Sequence, residues 1–126
     1  MTDSIERLFA DVLDLKKADP ARSRTARLMR SGRSKIAKKL GEEAVEVVID
    51  AMQGDREAVV RESADLLYNL VVLWASTGVR PQDVWAEMNR REELFGIAEK
   101  IPKDRAQPLS RRKVVALEAV RAHKRR

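Results

Sequence analysis

Glu62-Ser63-Ala64-Asp65-Leu66-Leu67-Tyr68-Asn69-Leu70-Val71-Val72-Leu73-Trp74-Ala75 is the stretch on which the fold turns. Wound as a helix at about 100° per residue, its Leu, Val and Trp side chains surround the whole axis. A helix apolar on all sides is expected to be buried on all sides. Burying an unpaired carboxylate costs several kcal/mol unless a partner or a metal compensates it, so Asp65 needs a reason to sit there. Glu62, Asp65 and Asn69 recur at helical spacing and form a polar stripe. A buried salt bridge or capping network is the structural explanation of that stripe, and a metal or substrate site is the functional one.

Working outward, Asp55 is placed to cap this helix and Gly78 to end it after Thr77. Before it, Ser34 is expected to cap a helix running to about Gln53, with Gly54 in a left-handed position beyond its end. Further upstream, an Asp3 or Ser4 cap opens a helix with Ile5, Leu8, Phe9, Val12 and Leu15 on one face. It ends before Asp19-Pro20. A short helical piece, Thr25 to Arg30, is expected inside the loop of residues 19–33. Downstream, Pro81 suits the first turn of a helix from Gln82 to about Gly96. Nothing alternates with period two for long enough to make a strand. The expected fold is all-α, an antiparallel helical bundle of four to five helices.

A length of 126 residues allows one domain with a core. The expected division is a helical domain over 1–102 and a basic C-terminal extension over 103–126, with Ser110 capping a last helix. The chain lacks cysteine, which excludes disulfides, thiolate metal sites and cysteine nucleophiles. Residues 1–9 lack the pattern of a signal peptide, and no apolar run approaches a bilayer span. A cytoplasmic protein with no membrane partner is expected.

The net charge of +6 is unevenly spread. Residues 103–126 hold nine Lys and Arg against two acids, while residues 1–102 are nearly balanced. Nucleic-acid binding is therefore at most a property of the tail, and is not the expected role. Residues 22–39 contain eight basic side chains and no acid, and run directly into Glu42, Glu43 and Glu46.

Those acids face a second set. Glu43 and Glu46 are three apart, as are Glu62 and Asp65, so each pair projects from one helical face. Glu46 lies eight residues before Gly54 and Glu62 eight after it, which sets the pairs level across an antiparallel hairpin. Four converging carboxylates repel unless they protonate or hold cations. A hard-oxygen cluster suits Mg²⁺, with Mn²⁺ as an alternative, completed by waters and substrate phosphates. Lys35, Lys38 and Lys39 precede the cluster and are placed to hold phosphates. Otherwise Lys38 with Glu42 and Lys39 with Glu43 are ordinary i, i+4 surface pairs. His123, the only histidine, lies in the tail, which argues against histidine-based catalysis.

The pattern Glu-x-x-Glu, fifteen residues, Glu-x-x-Asp resembles the signature of the MazG-like all-α nucleoside triphosphate pyrophosphohydrolases. The stretches Lys17-Ala18-Asp19-Pro20, Ser23-Arg24-Thr25-Ala26-Arg27-Leu28, Lys39 to Glu46 and Glu62 to Tyr68 are similar, within that superfamily, to phosphoribosyl-ATP pyrophosphatases of histidine biosynthesis. The resemblance covers about residues 4–93. It implies Mg²⁺-dependent hydrolysis of phosphoribosyl-ATP to phosphoribosyl-AMP and pyrophosphate, by a homodimer or higher homo-oligomer with a dimeric helical core.

By the same resemblance, Glu43, Glu46, Glu62 and Asp65 are metal ligands. Glu42 is a further ligand or the residue that orients the attacking water, and Lys39 is a phosphate contact. Lys35, Arg24 and Asn69 complete the expected contacts to an anionic nucleotide. Arg24 stands where the family usually has Tyr, and Asn69 where it usually has His. These departures keep open a pyrophosphohydrolase of other nucleoside triphosphates. A non-catalytic helical module binding nucleic acid through its tail is the remaining alternative.

Overall fold

In the computed structural model, which describes residues 3–96, a hairpin of two long helices dominates. Helix α3 (Arg33–Met52) and helix α4 (Arg56–Thr77) are joined by residues 53–55 and pack along their length as antiparallel neighbours. Gly54, at φ 72°, takes the left-handed conformation that turns the chain. Asp55 then caps α4 by accepting a hydrogen bond from the Ala58 amide at 3.0 Å. Gly78, at φ 76°, ends α4 as expected.

Helix α1 (Ser4–Leu15) opens on Asp3, whose carboxylate accepts from the Ile5 amide at 2.9 Å. It lies against α4. Helix α2 (Arg24–Arg30) is capped by Ser23 and sits beside α3 and α4. The core gathers Val12 of α1, Ile36 of α3, and Val71 and Val72 of α4. Phe9, Leu28 and Tyr68 are among the residues packed around it.

Every described element is helical, and the all-α expectation holds. Helix α5 (Pro81–Phe95) belongs to a second unit that begins at Pro81. Within it, Glu87 binds Arg90 and Arg91 at 2.6 and 3.1 Å, and these guanidinium groups hold its carboxyl down at about 2. The expected boundary at residue 102, the Ser110 cap and the basic helix lie outside the described residues.

Three local expectations are corrected. Helix α3 is preceded by Gly32 at φ 96°, without a side-chain cap, so Ser34 lies inside the first turn. Leu15 is 40% exposed, because the apolar stripe of α1 leaves the core in its last turn. Helix α4 is not enclosed on all sides within one chain: Val60 and Leu67 remain exposed, and so does Asp65.

Candidate active site

Helical spacing and the short turn together decide what the hairpin brings together. Carboxylate oxygens of Glu43, Glu62 and Asp65 lie within 4.8 Å of one another. Glu43 comes from α3, and Glu62 and Asp65 from successive turns of α4. Glu46, one turn further along α3, stands outside this close group but adds its charge to the field at Glu62.

The crowding acts on the protonation of Glu62. Its carboxyl is raised above the ordinary value of 4.5, first because it shares a hydrogen bond with the Glu43 carboxyl. Desolvation and the charges of Glu43, Asp65 and Glu46 push the same way. Three carboxylates this close, which repel one another when charged, are a chemically apt donor set for a hard divalent cation. The donor chemistry fits.

Beside this cluster runs a basic cavity of about 460 Å³, between α2 and the first half of α3. Arg24 and Arg27 line it from α2, and Lys35, Lys38, Lys39 and Glu42 from α3. Glu42 is therefore at the cavity while its neighbour Glu43 is in the acid cluster, so two consecutive residues join the two features. Among the described residues neither Lys38 with Glu42 nor Lys39 with Glu43 forms an ion pair. The surface-pair explanation of these lysines is thereby weakened.

Of the residues singled out in the sequence, Arg24, Lys35, Lys39 and Glu42 meet at the cavity, and Glu43, Glu62 and Asp65 at the cluster. Asn69 goes elsewhere. It is 1% exposed, its Nδ2 donates to the Asp65 carbonyl at 2.8 Å, and its Oδ1 has no hydrogen-bond partner among the described residues. Sequence reasoning missed Arg27, although its spacing from Arg24 would put both on one side of a helical turn. It also missed the 2.6 Å hydrogen bond between Thr25 Oγ1 and the Tyr68 hydroxyl, for which no local pattern gives a signal.

Residues 7–92 match the family model described as phosphoribosyl-ATP pyrophosphohydrolase. The chain belongs to that family. It is 63% identical to phosphoribosyl-ATP pyrophosphatase 2 of Rhodopseudomonas palustris, over 98% of this chain and 100% of that protein. It is 62% identical to phosphoribosyl-ATP pyrophosphatase 2 of Bradyrhizobium diazoefficiens, over 99% of each. The phosphoribosyl-ATP pyrophosphatase of Gluconobacter oxydans is 52% identical over 76% of this chain. Both the acid cluster and the basic cavity of this phosphoribosyl-ATP pyrophosphohydrolase family member fall inside the matched segment. The basic tail falls outside it, yet the matches to the first two relatives extend over nearly the whole chain. Among the described residues no helix is long and apolar enough to cross a membrane.

Proposed function

We propose that the chain hydrolyses phosphoribosyl-ATP to phosphoribosyl-AMP and pyrophosphate, the second step of histidine biosynthesis, in the cytoplasm and with Mg²⁺. One observation carries the reading: a carboxylate cluster and a cavity walled by cations adjoin at Glu42 and Glu43. A polyphosphate needs both. Its charge is met by fixed cations, and the acids would be pointless beside it unless a divalent cation stood between.

Glu43, Glu62 and Asp65 would hold the cation, with Glu46 as an added ligand or a source of negative field. When bound, Mg²⁺ supplies Lewis-acid polarisation of the phosphoryl oxygens. Lys35, Lys39 and Arg24 bind and orient the phosphates, which lowers the entropic part of the barrier. Glu42 faces the cavity from the edge of the cluster, and we assign it the attacking water, which it orients and from which it accepts a proton. That water adds to phosphorus, the anhydride bond breaks, and the electron pair leaves with pyrophosphate.

A homodimer is part of the proposal. Met52 is 84% exposed and Leu67 45% exposed on the two long helices. Large apolar side chains left open on the helices that hold the site are suited to a second copy.

The second reading, a hydrolase of other nucleoside triphosphates, is favoured by Arg24, since this departure from the family pattern lies in the cavity wall. Comparing kcat/KM for phosphoribosyl-ATP with that for a panel of nucleoside triphosphates decides between them. The proposal expects phosphoribosyl-ATP to be preferred at least about 100-fold, the discrimination that even a modest difference in pocket contacts provides. Equal or higher values for an ordinary nucleoside triphosphate would overturn it.

A further inference from the structure

Helix α2 is seven residues long, too short to hold its own shape or place without outside support. Yet it supplies Arg24 and Arg27, one whole wall of the basic cavity. What fixes it reaches over from α4. The Tyr68 hydroxyl and Thr25 Oγ1 are 2.6 Å apart, with Thr25 itself only 7% exposed. The Arg24 guanidinium lies over the Tyr68 ring, 5.9 Å from its centroid, within cation–π range. Tyr68 is also one turn beyond Asp65 on α4 and packs against the core. One side chain thus touches two successive residues of α2 and stands on the helix that presents Glu62 and Asp65.

We propose that Tyr68 is a positioning residue, which holds Arg24 in the cavity wall in register with the acid cluster so that the guanidinium meets a phosphate of the bound substrate. The inference rests on the reading of the site as one that takes a polyphosphate, and it adds the residue that aligns the cationic wall with the acidic one. The hydroxyl fixes the start of α2 through Thr25. The ring face restricts the side chain of Arg24, a residue that is otherwise exposed. Without the ring, Arg24 must give up rotamer freedom on each binding event, and this weakens binding without changing the reaction at phosphorus.

The test is a double-mutant cycle read by calorimetry, with pyrophosphate and Mg²⁺ as the probe and the full-length chain as the protein. Arg24→Gln and Tyr68→Leu should each weaken pyrophosphate binding about five- to ten-fold, the size expected for losing a charge-assisted contact or its alignment. The double variant should bind within about two-fold of the weaker single variant, since each change removes the same contact.

Tyr68→Phe and Thr25→Val keep the packing and delete the hydrogen bond from either side, so they keep the test valid should Tyr68→Leu fold poorly. Each should weaken binding less than Tyr68→Leu does, and together they should do no more than one alone. In turnover, Tyr68→Phe should raise KM and leave kcat within about two-fold, because uniform binding is what it removes.

Losses that multiply in either double variant, unchanged binding in every single variant, or absence of pyrophosphate binding by the wild type would each overturn the proposal. A wild type that binds pyrophosphate and obeys the cycle but does not cleave phosphoribosyl-ATP counts against the proposed substrate alone.

Discussion

Glu43 on α3 and Glu62 on α4 share a hydrogen bond between their carboxyl groups across the hairpin, and this contact is the largest cause of the raised Glu62 protonation. Two carboxyls can do this only while one holds a proton. A divalent cation among these carboxylates would relieve the repulsion that raises Glu62.

Stability without added metal should fall as pH rises above the ordinary carboxyl value of 4.5, through the raised Glu62 range. In that window the folded chain holds a proton that the unfolded chain has released, and stability drops wherever the folded state binds more protons. Mg²⁺ should therefore raise the melting temperature more at pH 7 than at pH 5. Thermal melts at the two pH values, with and without Mg²⁺, check this. Glu87 has the opposite sign: its carboxyl is held near 2, so its contribution is present above 4.5 and lost as pH falls toward 2. It should be indifferent to the metal.

Ligand substitutions should follow the geometry. Glu62→Gln and Asp65→Asn should lower kcat/KM by at least about 100-fold, comparable to the loss of one electrostatic stabiliser. Glu46→Gln, outside the close group, should cost nearer ten-fold, as for a supporting group around a metal. Steady-state kinetics over a range of Mg²⁺ concentrations would show partial rescue of Glu46→Gln at high metal.

The cations of α3 should act through binding. Lys35→Gln and Lys39→Gln should each raise KM about ten-fold, the scale of a hydrogen bond to a charged group. Raising the ionic strength should shrink the difference from wild type, because exposed charges are screened within about 10 Å at 0.1 M salt. Neither variant should change the melting temperature by more than a degree or two.

Core and surface positions should separate cleanly. Ile36 is fully buried, and Ile36→Ala should cost about 2–5 kcal/mol of stability by urea denaturation. Leu15 is 40% exposed, and Leu15→Ala should stay within about 0.5 kcal/mol. For the homodimer, Leu67→Glu should lower the mass found by light scattering to that of one chain. An unchanged mass would remove this face from the interface.

Much of this was legible in the residues. The caps at Asp3 and Asp55 and the glycines at 54 and 78 mark helix ends by local chemistry, which acts on a few neighbouring atoms. The level placement of Glu43 with Glu62 and Asp65 followed from counting residues to the turn, because a short connection leaves the hairpin little freedom. Asp65 was misjudged for a different reason. A wheel shows which side chains are apolar but not how many neighbours one chain has to cover them, and on α4 Val60, Leu67 and Asp65 all stay exposed. Asn69 shares the spacing of the acidic stripe, yet a residue four positions from Asp65 rotates far enough to enter the core. The tie between Thr25 and Tyr68 spans 43 positions, a separation at which no periodicity speaks.

The most direct measurement is the initial rate of pyrophosphate release from phosphoribosyl-ATP, for the wild type and Asp65→Asn, with Mg²⁺ and with the metal chelated. The hairpin site predicts rapid release by the wild type with Mg²⁺, loss of release on chelation with recovery when Mg²⁺ is restored, and almost none from a folded Asp65→Asn. Undiminished release from Asp65→Asn, or release that survives chelation, would contradict the assignment of the Glu43, Glu62 and Asp65 cluster as the metal-holding centre of the reaction.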